Sequence, residues 1–129
     1  MLSPFSPLPN YILGTGLTFV GLLGFIKPLA VYDAFGIQRP LSAQADPFSY
    51  AKAGRDLATG LLFVALETYQ EGSGNEDAVT MLWATTALVG LVDWWVVRSM
   101  GGKELRSKSY VHLGSGALCA LFAGWRLMY

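Results

Sequence analysis

Four long apolar stretches, joined by short segments that carry the prolines, paired glycines and nearly all the charge, occupy most of this chain of 129 residues. A stretch of that length needs either a large protein interior or a lipid bilayer around it. One domain of this size offers little interior. Only 14% of residues are charged against 53% apolar, with a mean hydropathy of +0.41, whereas soluble domains carry about a quarter charged residues. Lipid is therefore the expected solvent. The fold class that follows is all-α: one domain, residues 1–129, built as an integral membrane bundle of four transmembrane helices. A soluble four-helix bundle is the rival, and it would need a polar face on the first and fourth segments that the sequence does not supply.

The first helix, about 11–27, is uncharged from Tyr11 to Ile26 and stops at Lys27-Pro28, where proline cannot continue a regular helix. The second, about 47–69, has Asp46 as N-cap and Pro47 at its first position. The third, about 78–99, ends before Gly101-Gly102, and the fourth covers about 109–128. Between the first two, PLAVYDAFG at 28–36 spaces Leu29, Tyr32 and Phe35 by three, as suits a short interfacial helix in the first cytoplasmic loop, a lid or an anchor. Gly116, Ala120 and Gly124 on the fourth segment, and Gly14, Gly21 and Gly24 on the first, are candidates for close helix contact. MLSPFSPLPN lacks the basic residues of a signal peptide, so the first apolar stretch is expected to be retained. Cys119, the single cysteine, permits no internal disulfide and reads as packing.

With four spans, Lys27, Arg39, Arg98, Lys103, Arg106 and Lys108 fall on one side of the membrane. Arg126 falls on the other, with Glu67, Glu71, Glu76 and Asp77 around the turn GSGN. The positive-inside rule makes the basic loops cytoplasmic and the termini lumenal or external. The even balance of basic and acidic residues gives no pull toward nucleic acid.

The informative residues are the charges inside the apolar runs. Arg55 and Asp56 lie about eight residues, or roughly 12 Å, into the second helix. Asp93 sits one turn above the cytoplasmic end of the third, and His112 in the first turn of the fourth. A charge at mid-helix costs about 2.5 to 3.5 kcal/mol on insertion, so these groups should face inward and pair. Lys52 can meet Asp56 at i, i+4, while Arg55 projects about 100° away and can reach Asp93. Thr59 extends the same face, and Tyr50, Trp94 and Trp95 offer aromatic surface nearby. Two readings are open: ion pairs fixing helix register, or a small-molecule site in which Asp56, Asp93 and Arg55 are catalytic and Lys52, His112, Tyr50, Thr59 and Trp94 bind substrate. Two carboxylates about an arginine allow one to act as acid and the other as base, the pair of roles that epoxide opening requires. The limonene-type epoxide hydrolases use a similar Asp-Arg-Asp set on an unrelated soluble fold.

The proline after the first helix, Phe35-Gly36, AGRDLATG at 53–60, Asp93, Gly101-Gly102 and His112 together resemble a family of small four-helix membrane proteins of unassigned function in fungi and bacteria. Some fungal members are similar to the membrane epoxide hydrolases of aurovertin- and citreoviridin-type polyketide clusters. That resemblance implies a secondary-metabolite enzyme of the endoplasmic reticulum acting on a lipophilic polyketide or terpenoid, with Arg55, Asp56 and Asp93 at the reacting centre and His112 beside it. The expected partners are that substrate, membrane lipid, and a second copy or other biosynthetic enzymes. No motif calls for a cofactor or a metal. The alternatives are a cofactor-free cyclase or isomerase and a non-catalytic membrane scaffold.

Overall fold

A computed structural model describes residues 3–41, 47–69 and 74–129. It is helical: α1 (Pro7–Ile26), α2 (Pro28–Phe35), α3 (Pro47–Thr68), α4 (Gly74–Met100), a 3-10 turn at Arg106–Lys108, and α5 (Ser109–Leu127). The Asp46 cap and Glu71 lie outside the described residues. Helix α1 begins a turn earlier than its apolar run, because Pro7 and Pro9 sit in the first turn, where backbone N–H groups have no intrahelical partner to lose. Helix α4 also starts early. Glu76 and Asp77 occupy its first turn, where negative charge complements the helix dipole. Two of the helical stretches, Pro7–Ile26 and Asn75–Met100, are long and apolar enough to cross a membrane.

The long helices associate as two close pairs, α1 with α3 and α4 with α5, while α3 and α4 approach each other less closely. Glycine sets this arrangement. Gly14, Gly21 and Gly24 are all buried, and a Cβ at Gly21 would stand 2.7 Å from the Leu57 Cα of α3. On the other pair, a Cβ at Gly90 would stand 2.7 Å from the Gly116 Cα. The expected row on α5 is corrected at two of its three positions. Ala120 is exposed and Gly124 faces open space; the buried line is Gly116, Cys119 and Ala123. A strict four-residue repeat drifts about 40° per step around an α-helix, so alternating threes and fours keep to one face.

Between the pairs lies the apolar core of Phe63, Val79, Trp83, Ala87, Cys119 and Ala123. Trp83 packs edge-on to Phe63 with centroids 5.2 Å apart, and its other neighbour Phe122 is at 4.5 Å. The outer surface carries Ile12, Phe19, Ile26, Leu88, Leu118 and Leu121, all largely exposed, while Asn10, Ser49, Asp56, Asp93 and Arg126 are buried. This reverses the distribution of a water-soluble bundle.

Helix α2 lies across one end of the bundle, set off by Lys27-Pro28 and by Gly36 at φ 96°, a left-handed cap that suits glycine. Its exposed Asp33 accepts hydrogen bonds from Arg39, and Lys108 Nζ donates to the Asp33 carbonyl. The Arg39 hydrogen bond holds the Asp33 carboxyl below its ordinary value of 3.8. A lowered carboxylate pKa means that this contact contributes fully above pH 3.8 and is lost as pH falls through the lowered value.

Replacing Gly21 with leucine should therefore separate α1 from α3 at a cost of about 3 kcal/mol. Gly16→Leu, where an added side chain meets open space, should leave thermal unfolding in detergent unchanged. Equal melting of the two variants would refute glycine-set packing.

Candidate functional site

Along α3 the buried positions are Ser49, Ala53, Asp56, Gly60, Phe63 and Glu67, a helical stripe that turns toward α1 and the core. Asp56 is thus carried inward by the same periodicity that buries Phe63. Lys52, one turn earlier, places Nζ 2.5 Å from Asp56 Oδ2. Arg55, one position before Asp56, projects toward α4. Its Nη1 and Nη2 donate to Asp93 Oδ1 and Oδ2 at 2.8 Å each, and Nε and Nη2 reach Asp56 Oδ1 at 3.3 and 3.2 Å. One guanidinium therefore spans two carboxylates on two helices, in the bidentate geometry that only arginine provides. Asp56 faces two cations. Asp93 faces one, and shares it.

The side chains of Asp56 and Asp93 are 7% and 9% exposed and Lys52 is 14% exposed, whereas Arg55 keeps 34%. The cluster is closed on its carboxylate side and partly open along the arginine.

His112 does not join the aspartates. Its Nε2 lies 2.8 Å from the Phe35 carbonyl, at the C-terminus of α2, and its ring packs on Phe35 with centroids 4.8 Å apart. Lys52 Nζ sits 5.1 Å from the centre of that same Phe35 ring. His112 thus pins the roof of the cluster instead of lining it, because α2 folds between them. Tyr50 is on the flank of α3 nearest α1, tilted against Phe25 at 6.3 Å and well exposed. Trp94 is four residues on from Gly90, so it shares the flank of α4 that packs on α5; Trp95 is exposed. Tyr50, Trp94 and Trp95 are therefore not gathered about Arg55. Thr59 is, one turn above it and half-buried.

A second polar layer at the opposite end was not anticipated. Asn10 donates to Glu67, and Trp83 Nε1 donates to Asn10 Oδ1 at 2.5 Å. Arg126, expected at the membrane surface, is buried. It donates to Thr80 Oγ1 at 2.9 Å, to the Pro4 carbonyl at 2.8 Å and to Glu76. The available signal was spacing: Glu67 is eleven residues beyond Asp56, three helical turns, and so returns to the same face. An apolar hollow of about 590 Å³, lined by Tyr11, Ile12, Thr15, Gly16 and Phe19, lies on the outer face of α1, away from both layers. Among the described residues no three His, Cys, Asp or Glu side chains stand close enough to hold a metal ion.

Removing the arginine should leave two buried carboxylates short of a cation. Arg55→Met should destabilise by about 3 kcal/mol, the low end for breaking a buried pair because a third of the arginine is accessible. In a double-mutant cycle with Asp93→Asn the two losses should fall well short of additive; strict additivity in detergent unfolding would show that the pair is not energetically coupled.

No curated protein and no solved structure matches the chain. A family model described as Domain of unknown function (DUF4267) matches residues 14–126, a span that includes Lys52, Arg55, Asp56, Asp93 and His112. With most of its length covered by that model, the chain belongs to the DUF4267 family.

Proposed function

We propose that this protein is a membrane-embedded epoxide hydrolase, or a related epoxide-opening enzyme, acting on a lipophilic polyketide or terpenoid. The observation that carries the reading is the Asp56–Arg55–Asp93 bridge, two buried carboxylates on one guanidinium inside an apolar-surfaced bundle. All four long helices cross the bilayer in this reading, with the basic loops cytoplasmic and the endoplasmic reticulum as the membrane. The reversed polarity supports it: lipid-facing leucines outside, paired charges within.

In the reaction, a water oxygen attacks one epoxide carbon as that carbon's bond to the ring oxygen breaks. Asp56, which accepts hydrogen bonds from Lys52 and Arg55, is assigned as the acceptor of the proton of the attacking water. Asp93, whose one cationic partner is shared, is assigned in its protonated form as the donor of the proton to the departing oxygen, and return of one proton from Asp56 to Asp93 resets the pair. The product is a diol. If a hydroxyl of the substrate attacks in place of water, the same two proton transfers give a cyclic ether, the cyclase alternative.

A structural reading also has an observation in its favour, since every carboxylate oxygen of Asp56 and Asp93 already has a cationic partner. In that case the charges lock the helix pairs together in a non-catalytic scaffold. Asp56→Asn and Asp93→Asn decide between them. For an enzyme, each should lower epoxide turnover by about 100-fold or more while the protein stays folded. Oxygen-18 from labelled water should appear in the diol of a hydrolase and be absent from an intramolecular ether. Undiminished turnover in either variant would remove that aspartate from the chemistry.

A further inference from the structure

Resting on that reading of the site, we propose that the seam between α3 and α4 is the groove by which a lipophilic molecule carrying an ether, epoxide or hydroxyl oxygen reaches Arg55 from the side of the bundle, and that Thr59 receives this oxygen.

Three other approaches are filled. At the end of the bundle α2 covers the cluster with Tyr32 and Phe35, both buried, and Phe35 is wedged against His112 and Phe48. Toward α1, Gly24 and Gly21 bring the backbone onto Ala53 and Leu57; toward α5, Gly90 and Gly116 do the same. Helices α3 and α4 stay farther apart than the partners within either close pair and are spanned by side chains: Arg55 to Asp93 at one level and Phe63 to Trp83 at another. Arg55 keeps a third of its side chain accessible.

Two polar groups in this seam have hydrogen-bonding capacity left over. A guanidinium has five N–H donors. The carboxylates engage one on Nε, one on Nη1 and two on Nη2, so one N–H of Nη1 is unused among the described residues. The Thr59 hydroxyl likewise makes no hydrogen bond there. Thr18, Thr68, Thr80, Thr85 and Thr86 each turn theirs back onto a carbonyl of the preceding turn. In apolar surroundings an unmet donor is costly, and an oxygen atom of a ligand would satisfy both. By helical spacing the rest of the groove is Leu62 on α3 and Val89 and Val96 on α4, apolar and at least partly accessible. From Arg55 to the level of Leu66 is about 16 Å, room for a long hydrocarbon body beside a single oxygen function.

The test uses the full chain in lipid nanodiscs and a long-chain alkyl epoxide bearing a diazirine midway along its tail. Photolabelled peptides are mapped, and diol formation is followed in parallel. The groove requires labelling on α3 and α4 around Leu62, Val89 and Val96. Labelling should fall about fivefold in Thr59→Val, which removes one hydrogen bond, and be blocked by Leu62→Trp. Ile12→Trp, on the outer face of α1, should leave it unchanged. Labelling confined to α1, scattered over the lipid-facing surface, absent, or unmoved by Leu62→Trp overturns the groove. Seam labelling without diol would retain the groove and dismiss the epoxide chemistry, whereas diol with labelling elsewhere would do the reverse.

Discussion

A guanidinium shared by two carboxylates is the contact on which the rest of this bundle depends. Arg55 could not be left unpaired in an apolar surround, and Asp93 could not be buried without it. Their mutual satisfaction fixes how far α3 slides against α4, since a shift of one residue would move the donors by about 1.5 Å and break the bidentate geometry. The depth of the cluster then sets what lies above and below it: the aromatic core on one side, the α2 roof on the other.

The two helix pairs are joined in a different way from that in which each is built. Within a pair, glycine lets backbones touch, and packing contacts dominate. Between pairs, polar side chains meet at both ends, Arg55 with Asp93 at one and Asn10 with Trp83 at the other, and large aromatic rings fill the middle. Such a seam rests on the reach of side chains, which tolerates more separation than backbone contact does. Glycine contacts leave no comparable slack, because a gap of about 0.5–1 Å forfeits roughly a quarter to a half of their dispersion energy.

This division bears on chemistry. On the proposed enzymatic reading, a site whose carboxylates are fully paired at rest must exchange one pairing for substrate, and the exchange is easiest where a partner is partly exposed. Arg55 is that partner. Lys52, held between Asp56 and the Phe35 ring, keeps the charge on Asp56 compensated while Arg55 is engaged elsewhere. The α2 roof is pinned by His112 and Lys108; on the same reading it closes the aqueous side, which favours a substrate that arrives from an apolar phase.

Membership of the helices, their order and their inward charges could be read from residues alone, because apolar run length, proline and glycine act locally. Lys52 beside Asp56 and Arg55 reaching Asp93 also follow from helical spacing plus the cost of a naked charge. What depended on tertiary structure was every choice among neighbours. His112 was within reach of the aspartates in sequence terms, but the fold of α2 gave it a carbonyl to bind. Tyr50 and Trp94 lie one residue or a few from the cluster, yet helical rotation turns them toward α1 and α5. Glu67 and Arg126 read as surface charges because they stand near helix ends, and only the packing of four helices together encloses them. Local chemistry specifies which side chains cannot be left unpaired in an apolar surround; the partner each one finds is set by interhelical distance and rotation, which no single segment encodes.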